Sequence, residues 1–557
     1  MAGTVLAIAA ARWQGRGQAL PPDVPLPDDP FTLGVASGDP EPGGFVIWTR
    51  LAPAPTSGGG MPGVDVPVVW EIATDPAFTS IVASGVSVAT PALAHSVHVE
   101  VSGLPPDSWF HYRFRAGGWT SPVGRARTTP PAGVRVPLRF GVASCQRYTD
   151  GYYTAHRELS TEGCDLVVHL GDYIYEGGGS GPVRSHGSPE ATTLAAYRNR
   201  YGLYKSDPDL QAAHAMCPWL VVWDDHEVDN DYAGAHSVDG TPEAAFLSRR
   251  AQAYQAWYEH QPVRLPVPVG PDLAIHRSIR WGGLARFHLL DTRQHRDPQP
   301  CGGGLNSPCS DWADEGRTLL GPAQEQWLLD GLSSREAVWE VLANQVVFAP
   351  MAIGTARNMD QWDGYPAARE RVWSVLRDVP NPVIVAGDIH LGAVAVLHRD
   401  LEDPTTEAVG VELVGPPISS RFTAAPPAVV EAVVGGLPWF EYVNASDRGY
   451  LIVELTEQEL QARYRVVSTT SVPTATVTTD HTYRRAAVPV PREEDPVATT
   501  STTSTTSSST TSSSTTSTAP PPSSTTTAGA ITSPTAGGRG VESGAPIAGG
   551  VMPRYTG

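Results

Sequence analysis

The sequence predicts an α/β domain that carries the chemistry, preceded by an all-β domain and followed by a tail without a core. Three observations lead there. Short alternating strands separated by Gly, Pro and Asp turns fill the stretch from Phe31 to about Pro131. From Val136 onward, apolar strand-like runs alternate with helical segments. After about residue 490 the chain is dominated by Ser, Thr, Pro and Ala.

Residues 1–30 read as a leader-like segment and linker. Val5 to Ala11 is a short apolar stretch followed by small residues, similar to the h-region and cleavage zone of a signal peptide, but no basic n-region precedes it. A start codon assigned too late, with a basic or twin-Arg front end lost, accounts for that. PPDVPLPDDP is a proline-rich lead-in.

Residues 31–132 contain VVWEIAT, GVSVAT, HSVHVEVSGL and WFHYRFRAG as strands. Val97, Val99 and Val101 alternate with His98 and Glu100, and Phe110, Tyr112 and Phe114 alternate with His111 and Arg113, so each strand has one face in and one out. About a hundred residues of this pattern suggest a sandwich of the immunoglobulin or fibronectin III kind.

Residues 133–485 change character. PLRFGVASC, a helix-like YYTAHRELSTEG and CDLVVHLGD form a βαβ unit, which implies parallel pairing. WLVVWD, LARFHLLD, EVLANQVVFAP, PVIVAGD and AVAVLH are further strands, with EAVGVELVG and GYLIVELTE closing the series. AAFLSRRAQAYQAWYEH and PAQEQWLLDGL are helices between them. Residues 486–557 read as a disordered tail, too poor in apolar side chains to offset chain entropy and similar to an O-glycosylated stalk.

The 557 residues exceed one ordinary domain, and a 41% hydrophobic fraction is enough for real cores. A formal charge of −19 argues against a general nucleic-acid-binding surface, which needs clustered Lys and Arg. An anionic substrate would have to be drawn by something local, such as metal ions. No apolar run approaches the roughly 18 residues of a membrane-spanning helix. Of the cysteines, Cys301 and Cys309 flank a Gly/Pro/Ser-rich loop and are close enough to bridge in an oxidising compartment. Cys164 and Cys217 read as buried inert thiols.

The polar residues gather at strand ends, where ligands sit in open α/β sheets. CDLVVHLGDYIYEGG sets the pattern: Leu166 to Leu170 is a buried strand, Gly171 stops it, and Asp172 and Tyr175 follow. Alone, these read as an N-cap and a packing ring. However, strand ends also deliver Cys145, Asp225 with His226 and Asn230, Asn344 with Gln345, and Asp388 with His390. Five strands of one sheet each presenting ligands on one edge favour a metal site. Cys145, Asp172, Tyr175 and His390 suit a transition metal, with ferric iron the candidate, whereas Asp172, Asp225, Asp388 and Asn344 or Gln345 suit Ca²⁺ or Mn²⁺. Asp172 can bridge. Two metals clamp the attacking and leaving oxygens of an in-line displacement and supply hydroxide at neutral pH, and His226 is placed to protonate the leaving alkoxide. Asp224 and Glu227 are read as a solvated loop. Arg293 is read as an ion-pairing residue, with phosphate contact the alternative.

FTLGVASGDPEPGGFVIWTRLAP, FGVASCQ, HLGDYIYEGG, WDDHEVDNDYAG and VAGDIHLGAV, in this order, resemble the alkaline phosphatase D (PhoD-like) family of the calcineurin-like metallophosphatase superfamily. The resemblance spans residues 31 to about 470. It implies a calcineurin-like αββα catalytic sandwich behind the β domain, Fe³⁺ held by Cys145, Asp172, Tyr175 and His390, and Ca²⁺ held by Asp172, Asp225 and Asp388 with Asn344 or Gln345. His226 and Asn230 would face the phosphate. Other divalent ions such as Mn²⁺ or Zn²⁺ remain compatible with these donors.

The expectation is therefore a secreted or cell-surface, monomeric hydrolase of phosphate monoesters and diesters. The alternatives are a phosphodiesterase or phospholipase D-like enzyme with little monoesterase activity, and an inactive surface-binding protein.

Overall fold

The computed structural model describes residues 24–423 and 425–491. The leader-like start before residue 24 and the Ser/Thr-rich tail from residue 492 lie outside the described residues.

Two mixed sheets form the centre. In the nine-stranded sheet, strands Leu138–Ala143, Leu166–His169 and Pro218–Val221 run parallel side by side. The first two are joined by the helix Thr154–Leu159, as the βαβ pattern requires. In the seven-stranded sheet, Ala285–Leu289, Trp339–Ala343, Pro382–Ala386 and Ala408–Val414 are the parallel core. Antiparallel strands flank both parallel cores.

The alternation along the central strands sorts the layers. Val341, Val383 and Val385 face the first sheet and share a core with Phe140, Val142, Val167 and Phe287. Their neighbours Leu342, Ile384 and Ala386 point the other way, onto Leu328, Val372 and Trp373 of the helices Pro322–Ser333 and Pro366–Leu376. Tyr201, Phe246 and Trp257, from the helices Leu194–Lys205 and Glu243–His260, cover the first sheet. The result is helix, sheet, sheet, helix. Strands buried on both faces need continuous apolar runs, which is what these segments supply.

The N-terminal β region divides between two sheets. Ile81–Ala89, Val66–Ala73 and Trp109–Ala116, with Trp119–Thr120 and Gly124–Arg127, make a five-stranded antiparallel sheet. Val35–Glu41, Gly44–Arg50 and Ser96–Val101 instead extend the nine-stranded sheet. Ser37 and Gly38 pair in parallel with Pro218 and Trp219, and buried Asp39 holds Arg277 at 2.7 Å. Phe45, Ile47 and Val99 meet Val68, Ile72 and Phe114 in a shared core, so this part is also two-layered.

Strand ends must approach closely to build a site, and one glycine shows how. Gly171 has φ +100°, and a Cβ there would lie 2.5 Å from the backbone N of Asp224. Replacing Gly171 with Ala should therefore lower stability by roughly 1–3 kcal/mol, through the unfavourable φ and the steric clash. A urea midpoint unchanged from the parent would contradict this packing.

Candidate metal centre

The strand ends gather the predicted ligands, but from both sheets. Cys145, Asp172 and Asp225 follow strands of the nine-stranded sheet, whereas Asp388 and His390 follow Pro382–Ala386 of the other. The single-sheet expectation is thus corrected: the site lies where two parallel cores present their carboxyl ends to each other. Cys145, Asp172, Asp388 and His390 all have φ between 54° and 62°, a region L-residues avoid. Such strain persists only where the surroundings enforce it, and it is concentrated at functional sites.

Three overlapping groups result, each with ligand atoms within 4.8 Å of one another: Cys145, Asp172 and His390; Asp172, Asp225 and His226; Asp224, Asp225 and Asp388. Asp172 and Asp225 are the shared members. Tyr175 joins the first group, because its hydroxyl donates to Asp172 Oδ2 at 2.7 Å and lies 3.0 Å from His390 Nε2. The other ring nitrogen of His390 meets the carbonyl of Arg421 at 3.1 Å. With Nδ1–H given to that carbonyl, Nε2 keeps its lone pair for the site. Ser420 Oγ braces the corner, 2.7 Å from the Cys145 carbonyl and 2.8 Å from the Tyr175 hydroxyl.

The electrostatics call for cations. Burial, together with the charges of Asp225 and Asp224 and against that of His226, pushes the Asp172 carboxyl well above the usual carboxylate range. Burial and the charge of Asp224 do the same to Asp388. The Cys145 thiol and Tyr175 phenol are raised by burial and by Asp172. Burial, helped by His226, brings His390 down to about 3, so it is neutral. Asp172 Oδ1 and Asp225 Oδ1 are buried without a hydrogen-bond partner. A bound metal would reverse the upward shifts of Asp172, Asp388, Cys145 and Tyr175 by stabilising the deprotonated donors, and His390 is already in the neutral form that binds metal. Thiolate, phenolate, carboxylate and neutral imidazole together fit a transition metal, and the all-carboxylate group fits a hard cation.

Arg293 supplies positive charge from the protein itself. Fully buried, it contacts Asp224, reaches Asp360 at 2.8 Å and Asp388 at 3.3 Å, and lies 3.5 Å from Asp225. It is an ion-pairing residue, as read.

Two residues assigned to a solvated loop are buried and structural. Asp224 and Glu227 form a capping box over the turn Asp225–Glu227. The Glu227 carboxylate accepts from the backbone N–H groups of Asp172, Tyr173 and Asp224 at 3.0, 2.5 and 2.8 Å, tying two strand ends together. The Asp-x-x-Glu spacing was the available signal.

Asn344 is not brought to the metal groups by its hydrogen bonds. Its amide donates to the Val346 carbonyl and accepts from Trp362 Nε1 at 3.2 Å. Gln345 is equally committed, accepting from Thr292 Oγ1 and donating to the carbonyls of Trp223 and Leu290. Asn230 has its backbone N–H on Glu176 Oε1 at 2.9 Å and leaves its side-chain oxygen unpaired.

Glu176 was missed. Its Oε2 lies 2.7 Å from His226 Nδ1. Burial alone would raise this carboxyl, but the charge and hydrogen bond of His226 bring it down to about 2. Conversely, burial opposes the charge on His226, yet Glu176, Asp172 and Asp225 lift it well above the ordinary histidine value. The His226 ring, tilted against that of Tyr175 with centroids 4.1 Å apart, stands beside the metal groups in surroundings that favour its protonated form. Cys301 and Cys309 are joined in a disulfide, and Cys145, Cys164 and Cys217 are free and buried.

The family model of the PhoD-like phosphatase matches residues 140–464, and that of the PhoD-like phosphatase N-terminal domain matches residues 17–130. Alkaline phosphatase D of Bacillus subtilis (strain 168) is 46% identical over 465 residues, 81% of this chain and 80% of that protein. A solved structure of PhoD, 43% identical, superposes with a TM-score of 0.80 over 84% of this chain and 94% of its own. The purple acid phosphatase PPD1 from yellow lupin (Lupinus luteus) seeds shares the fold at 12% identity, with a TM-score of 0.52 over 81% of this chain and 73% of its own. Family models over both regions and near-half identity across most of the chain agree with a cluster of metal donors at the sheet ends: the chain belongs to the PhoD-like phosphatase family.

Proposed function

We infer that this chain hydrolyses phosphate monoesters and diesters at a two-metal centre built on Asp172. The observation that carries the reading is the set of overlapping ligand groups sharing Asp172 and Asp225, each of which has a buried oxygen without a hydrogen-bond partner. Cys145, Asp172, Tyr175 and His390 would hold Fe³⁺. Asp172, Asp225 and Asp388 would hold Ca²⁺, with Mn²⁺ or Zn²⁺ as other ions these donors accept. Metals there would supply Lewis acidity and acidify a water.

The chain's own residues do the rest. His226 carries a proton that Glu176 stabilises, and it can deliver that proton to the departing alkoxide. Glu176 also fixes the ring's orientation through Nδ1. Asn230, tethered by its backbone to the same glutamate, can offer its amide to a phosphate oxygen. Arg293 holds the Asp224, Asp360 and Asp388 carboxylates in place from behind.

We further propose the division into a β domain at 31–132, of the immunoglobulin or fibronectin III kind, and a catalytic αββα domain at 133–485. The two-layered core of the first and the four layers of the second support it. Export is supported by the disulfide between Cys301 and Cys309, since such bonds persist in oxidising compartments. No helix among the described residues is long and apolar enough to cross a membrane. The monomeric state stays part of the proposal.

Removing the shared ligand with Asp172→Ala should cost roughly 10³-fold or more in turnover and release metal, since it withdraws several kcal/mol of metal-mediated stabilisation. Retained activity on 4-nitrophenyl phosphate and bis(4-nitrophenyl) phosphate would contradict the site. His226→Ala should slow turnover by about 10²–10⁴-fold while metal content stays at the parent level. Loss of metal in that variant would make His226 a ligand instead. Glu176→Gln should give a smaller loss, about 10–100-fold, the usual effect of removing a residue that orients another. Steady-state rates equal to the parent would remove Glu176 from the mechanism.

A further inference from the structure

Beside the Tyr175 and His390 edge of the site stand three arginines with almost no negative charge to answer them. Arg147 lies with its guanidinium 5.3 Å from the centre of the Tyr175 ring. Its Nε is buried and has no hydrogen-bond partner, and its nearest carboxylate, Asp150, is 3.9 Å away. Arg421 is exposed, its own carbonyl meets His390, and its backbone N–H takes the other oxygen of Asp150 at 3.1 Å. Arg448 uses one terminal nitrogen on the carbonyls of Ser446 and Asp447, and its Nε is buried and unpaired. Neither Arg421 nor Arg448 makes an ion pair among the described residues, and Arg147 reaches only Asp150.

The three feel one another and the metal edge. Burial and the neighbouring Arg421 lower Arg448 to about 10, against the opposing pull of Asp150 and Asp447. Arg448 and Arg147 both act electrostatically on His390. Most other arginines near the site are paired with carboxylates: Arg293 and Arg296 both reach Asp360, and Arg249 reaches Asp229. In a chain of net charge −19, three arginines with only Asp150 and Asp447 to answer them are out of keeping with simple solvation. A planar guanidinium with unused N–H groups is matched by a carboxylate or phosphate.

We infer that Arg147, Arg421 and Arg448 form a subsite for a second anionic group of the substrate, adjacent to the metals that take the scissile phosphate. This rests on the phosphoesterase reading above and gives it a substrate class: esters that carry a further phosphate or carboxylate a few bonds from the one cleaved. Their remaining counter-charge arrives with the substrate, which explains why the fold leaves them only partly neutralised.

Non-hydrolysable ligands test the subsite without needing turnover. Propylphosphonate presents one anionic group, 3-phosphonopropionate adds a carboxylate, and propane-1,3-diphosphonate adds a second phosphonate. Titration calorimetry of the metal-loaded full-length protein should find the two doubly anionic ligands at least about tenfold tighter than propylphosphonate, as one added charge-assisted pair gives. In Arg421→Gln, and separately in Arg448→Gln, that ratio should fall to about twofold, while Arg484→Gln, which removes an exposed arginine from the sheet's edge strand, should keep it. A tighter carboxylate arm alone, or a tighter phosphonate arm alone, would each support the subsite and name its ligand. Equal affinities in the parent protein, or a ratio unchanged in both variants, would overturn it. If no phosphonate binds at all, the phosphoesterase reading fails with it.

Discussion

Buried Asp225 lies within a few ångströms of Asp172 on one side and of Asp224 and Asp388 on the other, and that arrangement requires positive charge among them. Everything around the site responds to this requirement. Arg293 answers part of it by threading between Asp224, Asp360 and Asp388 with no exposure of its own. His226 answers another part by keeping its proton between Glu176 and the Asp172–Asp225 pair. One buried oxygen each on Asp172 and Asp225 still lacks a hydrogen bond, and metal charge would complete the balance. The same carboxylates that would make the empty cluster unfavourable make the loaded one tight.

That electrostatic centre rests on a geometric one. Two parallel cores point their carboxyl ends at a common seam, and three of the strands, those before Cys145, Asp172 and Asp388, are left through a residue in the left-handed region. Gly171 lets the second strand end touch the third, and Glu227 locks that contact by accepting three backbone N–H groups. The β region in front is anchored to the same sheet, through the parallel pairing of Ser37 and Gly38 with Pro218 and Trp219. It thereby supports the strand that ends just before Asp225.

Much of the site could be read from the chain because ligands follow apolar strands at a fixed offset. Asp172, Asp225, Asp388 and His390 each come within a few residues of a buried run, and local pattern is enough to find them. Sheet membership was not legible. A buried parallel strand looks the same in either sheet, so the seam between two sheets read as one edge. Glu176 was hidden because its partner lies 50 residues away and its own neighbours form an irregular loop. Ser420 was hidden for the same reason, braced against Cys145 from 275 residues away. Asn344 shows what spacing alone leaves out: its strand-end amide donates to the Val346 carbonyl and accepts from the Trp362 indole, contacts that only the fold reveals.

The account stands most directly on Tyr175 as a metal-bound phenolate sharing its ion with Asp172. Elemental analysis of the protein as purified, combined with its visible absorption spectrum and that of Tyr175→Phe, tests this in one preparation. The expected result is bound iron together with calcium, and a visible tyrosinate-to-iron band that the Tyr175→Phe protein loses. A colourless iron-free protein, or a band that survives intact in Tyr175→Phe, would contradict it.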